Sequence, residues 1–344
     1  EIRHIVFDLG DSGMAYEAGD ALGVMPVNAP DLVAAWLKRL KVASDTDIGG
    51  VPLSELLTSD LEIMTPSREL IRGVELVAEN EELTAVVKSQ DKGLLEKYLW
   101  GKDSLDLLNL CPNISFDVAK LVSWLKPLQH RAYSISSSPK AHKNEVHLTV
   151  AAVRWDYENR SHKGVCSTFL ADNVPVGEQA GIFMSPNKSF RVPEDDTVPM
   201  IMVGPGTGVA PFRAFLEERR ERSASGANWL FFGDQHRKCD FIYEDEISTF
   251  SETGLLTRLD LAFSRDQADK VYVQHRLIEN GKDIYSQLEN GGHFFVCGDA
   301  TRMAKDVDKA LHTIIENHGK HDQDTAIEYV NRLKLEKRYV RDVY

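Results

Sequence analysis

Hydrophobic residues recur with two different periods along this chain, and the changes of period mark its organisation. Ile2–Leu9 reads as a strand, closed by the turn Asp11-Ser12-Gly13, and Tyr16–Val24 returns as a second strand with glycine bends. From Asp31 to about Leu125 the period becomes helical: Leu32, Trp36, Leu37 and Leu40 follow the start signal Ala29-Pro30-Asp31, and Glu81–Tyr98 and Phe116–Leu125 read the same way. Strand character resumes at Arg131 and persists through Phe190, with turns at Ser137–Asn144, Asp156–His162 and Ser185–Asn187. After Pro193 strands and helices alternate: strands at Val198–Val203, Asn228–Phe232, Thr257–Phe263 and His293–Cys297, helices at Pro211–Arg222, Tyr243–Phe250, around Tyr285–Leu288 and at Met303–Asn317. That alternation predicts a parallel, doubly wound sheet, and the stretch before Leu125 a helical insertion of roughly a hundred residues. No internal repeat or low-complexity segment is visible.

Composition narrows the function classes. A length of 344 residues predicts two or three units. Hydrophobic residues at 42% and charged residues at 27% are ordinary for a globular chain. The net charge of −13, with no basic stripe, argues against nucleic-acid binding, but leaves room for anionic cofactors and a basic partner. Cys111, Cys166, Cys239 and Cys297 form no C-x-x-C pair, a pattern expected of reduced thiols in a cytoplasmic protein rather than of disulfides or a zinc site. No apolar run has the length of a membrane span, and no signal peptide is recognisable. Glu1 opens the chain without a methionine and inside a strand, as expected of a piece of a longer polypeptide.

Four segments carry candidate chemistry. Arg131-Ala132-Tyr133-Ser134 offers a guanidinium fork for a pyrophosphate, a ring to lie against a planar heterocycle and a hydroxyl for a ring nitrogen, together a cradle for a flavin dinucleotide. The alternative is an ordinary edge strand. Gly204-Pro205-Gly206-Thr207-Gly208-Val209-Ala210-Pro211-Phe212 follows an apolar strand and opens a helix, the context in which glycines admit a pyrophosphate to a helix N-terminus. Ser264, Arg265, Lys270, Tyr272 and Gln274 follow a strand end, and an extended backbone would put Lys270, Tyr272 and Gln274 on one face, suited to an adenosine 2′-phosphate. The rival there is Asp234, at the position of a ribose-binding carboxylate in an NAD enzyme, and the Ser-Arg-Lys-Tyr cluster weighs more. Cys297 ends another strand where ligands bind in such sheets, with a buried structural cysteine as the alternative. The terminal Tyr344 is an aromatic that can swing away from a flavin at small cost.

Taken together, in this order and at compatible spacing, these segments resemble the diflavin reductase family, and the resemblance extends from Arg3-His4 and Gly19-Asp20 to Tyr344. Within the family, Ser167–Asp172, Asn228–Gly233 and the ending Glu336–Tyr344 look most like the sulfite-reducing branch; at Asp234-Gln235-His236 the Cys-Arg of the cytochrome P450 reductases is absent. The resemblance implies an α+β and α/β multidomain fold: an antiparallel FAD-binding β-barrel (1–30 and 126–195), a helical connecting domain (31–125) and a Rossmann-like, ferredoxin–NADP reductase-like NADPH-binding domain (196–344). It implies that Arg131, Ala132, Tyr133 and Ser134 hold FAD, that Thr149, Val150 and Ala151 line the flavin, and that Gly164, Val165, Cys166 and Ser167 form the pyrophosphate loop. Trp155 would stand near the adenine, and Tyr344 would cover the flavin. Thr207, Ser264, Arg265, Lys270, Val271, Tyr272, Val273, Gln274 and Asp306 would grip NADPH, with Arg3 reaching its pyrophosphate, and Ser134, Cys297 and Asp342 would tune hydride transfer. An FMN-binding flavodoxin-like domain is expected in the full chain and is absent here. Electrons would pass through FMN to a sulfite reductase hemoprotein (beta) subunit that reduces sulfite to sulfide. The alternatives are a P450-reductase-like or other diflavin electron donor and, in a different class, a flavin-free assembly scaffold for a hemoprotein subunit. The intact motifs argue against the scaffold.

Overall fold

The computed structural model describes residues 1–344 and divides into two units: Glu1–Arg3, Gly23–Ala132 and Ala151–Ile182 form the first, and His4–Leu22, Tyr133–Val150 and Phe183–Tyr344 the second. The chain passes between them inside strands, at Ile2–Asp8, Ala21–Met25, Arg131–Ser134, Glu145–Ala151 and Gly181–Ser185.

The first unit is mainly helical, and its helices are bounded by local caps. Pro30–Leu40 starts on proline and ends on Lys41 in the left-handed region (φ 57°), burying Leu32, Val33 and Trp36. Ser67, Asn80, Asp91 and Asp103 each accept a backbone N–H in the first turn of the helix that follows. These caps explain a difference from the sequence reading: Glu81–Tyr98 is two helices, Glu81–Ser89 and Lys92–Leu99. Gln90 turns left-handed (φ 54°), and the Asp91 carboxylate takes the Leu94 N–H and starts the chain afresh. Phe116–Leu125 likewise shrinks to Val118–Val122 behind the Asp117 cap. The core gathers Trp36, Leu53, Leu57, Leu70, Val74 and Leu107. An antiparallel hairpin, Arg154–Tyr157 with Arg160–Lys163, sets Trp155 opposite His162.

The second unit holds a five-stranded parallel sheet, in the order 258–263, 228–234, 200–203, 293–298, 339–343. Alternate residues of its strands supply two cores. Ile201, Val203, Trp229, Phe231, Phe294 and Val296 face the helices Val273–Glu279, Met303–Gly319 and Gln323–Leu335. Met200, Met202, Leu230, Phe232 and Phe295 face Ala210–Glu221 and Glu244–Glu252. The strand order reverses at Met200–Val203, so the crevice for a ligand opens between the carboxyl ends of that strand and His293–Gly298. The fifth strand, Tyr339–Val343, was not read from the sequence.

One expected strand is shorter. Tyr16–Val24 becomes Ala21–Met25, because the Asp20 carboxylate accepts the Glu17 N–H (2.9 Å) and closes a turn through Gly19 at φ 101°. Asp20 also takes the Asn187 N–H (2.9 Å) and pairs with Arg191.

Arg219 staples the loops at the foot of the sheet. It is fully buried and donates to the carbonyls of Val198 (3.1 Å), Asp196 (3.2 Å) and Gly226 (2.8 Å). Arg219→Met keeps the apolar stem and leaves three carbonyls without this donor, so urea unfolding should show a stability loss of about 3 kcal/mol at an unchanged slope. A loss below roughly 1 kcal/mol would mean that water replaces the guanidinium.

Candidate functional site

The residues singled out in the sequence fall in both units and are taken unit by unit. In the second, Gly204–Phe212 has the strand–turn–helix form that its composition predicts. Gly206–Val209 is a single tight turn running into Ala210–Glu221, with Pro211 in the first helical turn. Gly206 has φ 57°, and any side chain on Gly208 would overlap the Cys297 carbonyl oxygen. The turn is a cradle that only glycine leaves open, beside the end of His293–Gly298. It suits the pyrophosphate of a dinucleotide.

The last strand completes this end of the sheet. Its register puts Asp342 opposite Cys297. The Ser134 hydroxyl donates to Asp342 Oδ2 (2.5 Å), and Cys297 Sγ lies 4.0 Å from the same oxygen. Three residues that the sequence scatters are thus brought together around one carboxylate. Burial pushes the Cys297 thiol far up, Asp342 adds to the shift and the Ser134 hydrogen bond opposes it, so the sulfur stays protonated. Tyr344 remains in the ladder through its N–H to Gly298 O (3.1 Å), and its hydroxyl meets Thr207 Oγ1 at 2.9 Å while the residue is 64% exposed.

The Ser264–Gln274 segment departs from the extended form expected of it. Tyr272 caps the helix Val273–Glu279, so Gln274 lies in a helical first turn, and Lys270, Tyr272 and Gln274 do not alternate along a strand. Val273 belongs to the core and Val271 packs on it, which spends the alternation on burial. Ser264 and Arg265 are positioned by backbone bonds to Asp234 O (2.8 Å) and Gln235 O (2.9 Å), and Asp266 closes the turn on His236 Nδ1 and the Arg237 N–H, both at 2.9 Å. Arg265 and Lys270 are exposed, Tyr272 is 42% exposed, and Gln274 donates to Asp306 at 3.3 Å. Asp234 stands beside the glycine turn, its Oδ2 3.6 Å from where a Cβ on Gly206 would be, and burial raises its carboxyl pKa. The expected single face of Lys270, Tyr272 and Gln274 is therefore not formed, and Asp234 stands beside the glycine turn.

Thr149, also in this unit, is held by a network that sequence reasoning missed. Its hydroxyl meets Tyr243 OH (2.6 Å), which also meets His4 Nδ1 (2.7 Å), while Arg213 lies over the Tyr243 ring and pairs with Glu246 (2.7 Å). Val150 is buried, and Tyr133 is partly buried.

In the first unit, Arg131 is aimed by Glu62 Oε2 (3.1 Å) and the Gln129 carbonyl (2.9 Å), and Ala132 and Ala151 are exposed. Gly164 leads into a short helix, Val165–Thr168, whose Ser167 hydroxyl accepts the Val153 N–H (3.1 Å) and whose Cys166 is buried. Its first-turn N–H groups suit a phosphate. Trp155 donates its indole N–H to Gly101 O (2.9 Å) and stacks on His162 (centroids 5.3 Å, planes 20° apart). Behind them Arg160 pairs with Asp103 (2.8 Å) and Asp106 (2.5 Å), and His162 Nε2 lies 2.8 Å from Asp106, locking the hairpin to the helix Ser104–Asn109. The Asp103–Asp106 spacing is the one signal that could have found this lock. Arg3 pairs with Glu1 (2.7 Å).

Comparison with known proteins agrees with both halves of this picture. Residues 1–169 match the FAD binding domain, and residues 202–309 the oxidoreductase NAD-binding domain. Over its whole length the chain is 43% identical to the sulfite reductase [NADPH] flavoprotein alpha-component of Vibrio cholerae, covering 56% of that protein. It is 43% identical to that of Mannheimia succiniciproducens, covering 58%, and 42% identical to that of Yersinia enterocolitica, covering 57%. The chain thus spans somewhat over half the length of these relatives.

The thiols give a direct test of the geometry. Iodoacetamide at about pH 8 should add one label to the folded chain, on exposed Cys239, and spare Cys111, Cys166 and Cys297. Mass spectrometry that found Cys297 labelled as fast as Cys239 would contradict a buried, protonated thiol beside Asp342.

Proposed function

We propose that the chain is a member of the diflavin reductase family, with FAD-binding and NAD-binding domains, and that it takes hydride from NADPH onto FAD. The observation that carries the reading is the meeting of Ser134, Cys297 and Asp342 beside the glycine turn at the carboxyl ends of two adjacent parallel strands. FAD and NADPH, when bound, supply the hydride chemistry, from nicotinamide to flavin. The protein supplies binding, orientation and electrostatics. In the first unit Arg131 and the loop Gly164–Ser167 would hold the flavin dinucleotide, with Ala151 lining it and Trp155 near its adenine; in the second Tyr133, Ser134, Thr149 and Val150 would do so. Asp342 fixes the Ser134 hydroxyl and draws on the Cys297 thiol, so two donors share one acceptor and keep a defined direction. A protonated Cys297 adds no second negative charge where hydride must arrive. Thr207 anchors Tyr344 and also belongs to the turn that would hold the pyrophosphate, so the ring and the dinucleotide would share one hydroxyl.

Ser264, Arg265, Lys270, Tyr272, Gln274 and Asp306 grip the adenosine end, with Arg3 assisting at the pyrophosphate and the backbone of Val271 and Val273 setting the turn. In the full protein, electrons go on through an FMN-binding domain to a hemoprotein subunit that reduces sulfite, in the cytoplasm. The relatives' names supply the sulfite reductase role, and the FMN domain, the hemoprotein subunit and the cytoplasm follow from the family resemblance. No helix of the chain is long and apolar enough to cross a membrane. A second reading, NADH as donor, is favoured by one observation, the Asp234 carboxylate beside Gly206.

Anaerobic mixing of the FAD-loaded chain with each nicotinamide separates the two. NADPH should bleach the flavin faster than NADH, and Arg265→Gln should weaken NADPH about tenfold while leaving NADH unchanged. Equal rates, or an Arg265→Gln effect on both donors, would move the specificity to Asp234. Asp342→Asn should slow bleaching at saturating NADPH by at least about tenfold with little change in affinity. An altered affinity at an unchanged rate would remove Asp342 from the hydride step.

A further inference from the structure

Two clusters of ligand-type side chains lie apart from the residues assigned above: Asp103, Asp106 and His162 in the first unit, and His142, Glu145 and His147 in the second. The first already holds its cation. Arg160 fills it at 2.5 to 2.8 Å from both carboxylates, so it is an ion-pair lock.

The second is built differently. Glu145 and His147 are two apart on the strand Glu145–Ala151 and share a face, and the turn before it returns His142 toward them through the His142 N–H to Ser138 O bond (3.0 Å). Glu145 Oε2 stands 3.0 Å from His147 Nε2 and 3.8 Å from His142 Nδ1, and no lysine or arginine pairs with it. The other nitrogen of His142, Nε2, lies 2.9 Å from Glu217 Oε1. Nε2 thus faces Glu217 and Nδ1 is turned to the Glu145 side. Glu217 is itself buried and fixed by the Ser138 N–H (2.9 Å) and Arg213 (3.1 Å), the arrangement in which an outer carboxylate orients a metal-binding imidazole.

We propose that His142 Nδ1, Glu145 Oε2 and His147 Nε2 bind a divalent transition-metal ion, zinc by the character of the ligands, with Glu217 as the positioning residue for His142. Tetrahedral zinc with bonds of about 2.0–2.1 Å sets its ligand atoms about 3.3 Å apart, and the observed 3.0 and 3.8 Å bracket that value. Two imidazoles and one carboxylate leave a fourth position for water, on the side where Glu145 is exposed. Arg213 Nη1 lies 3.4 Å from His147 Nδ1, so without metal His147 donates Nε2–H to Glu145; metal binding moves that proton to Nδ1. The shift works against the guanidinium and makes the site weaker than a closed structural one.

The test is a zinc titration of the metal-stripped chain by calorimetry, with cobalt absorption as a spectroscopic readout. One saturable zinc site per chain and tetrahedral cobalt bands are expected. His142→Gln and Glu145→Gln, both at the surface, should each weaken binding more than about tenfold, and Glu217→Gln about 10- to 100-fold. Titration without saturation would overturn the proposal, as would zinc binding undiminished in both surface variants. Neither His142 nor Glu145 belongs to the proposed hydride site, so flavin bleaching by NADPH should be unchanged in those variants. The titration needs no flavin, and its outcome is independent of the oxidoreductase reading.

Discussion

The pairing of the last strand with His293–Gly298 is the constraint on which the rest of the candidate site depends. Tyr339 and Val340 go to opposite faces of the sheet, into its two cores, and that burial fixes the register. A slip of one residue would reverse every side chain in the strand, exchanging Tyr339 and Val340 between the two cores and turning Asp342 away from Ser134. The packing that makes the strand therefore also places the carboxylate. Two further backbone bonds, Tyr344 N–H to Gly298 O (3.1 Å) and Ala300 N–H to Tyr344 O (3.0 Å), carry the ladder to the final residue, so the terminal ring is aimed rather than trailing.

What the sequence made legible was local in origin. Strand–helix alternation after Pro193 needs only hydrophobic period, and the glycine turn needs only the absence of side chains where the backbone crosses Cys297. Tyr339–Val343 escaped notice because, as an edge strand rich in charge, it has the composition of a solvated tail. Val271 and Val273 misled for the converse reason: their alternation matches a strand, but Val273 is the first buried residue of a helix. The Thr149–Tyr243–His4 chain joins residues 94 and 239 positions apart, beyond any spacing rule.

The acidic balance of the chain hides a consistent use of arginine. Arg160, Arg213 and Arg219 are turned inward, each serving several acceptors at once, and each fixes an element that bears site residues. Arg213 works on both the Tyr243 ring and Glu217, so the contacts of Thr149 and of His142 share one guanidinium. Glu145 faces two imidazoles in place of a guanidinium.

The proposed choice of cofactor turns on Asp234 and Arg265. A carboxylate beside Gly206 favours a ribose hydroxyl and repels a phosphate, and burial raises its pKa. Arg265 and Lys270 are exposed, so water screens each of them, and each gains most from an anion that arrives with several acceptor oxygens. A 2′-phosphate offers that and a ribose hydroxyl does not. The bonds from Ser264 and Arg265 to Asp234 O and Gln235 O hold the two alternatives on adjoining turns, and Asp266, its own carboxylate satisfied by the Arg237 N–H and His236, keeps the second turn in place. On the proposed reading, a 2′-phosphate would meet Arg265 on a backbone already held, and binding would order the exposed side chains of Arg265 and Lys270.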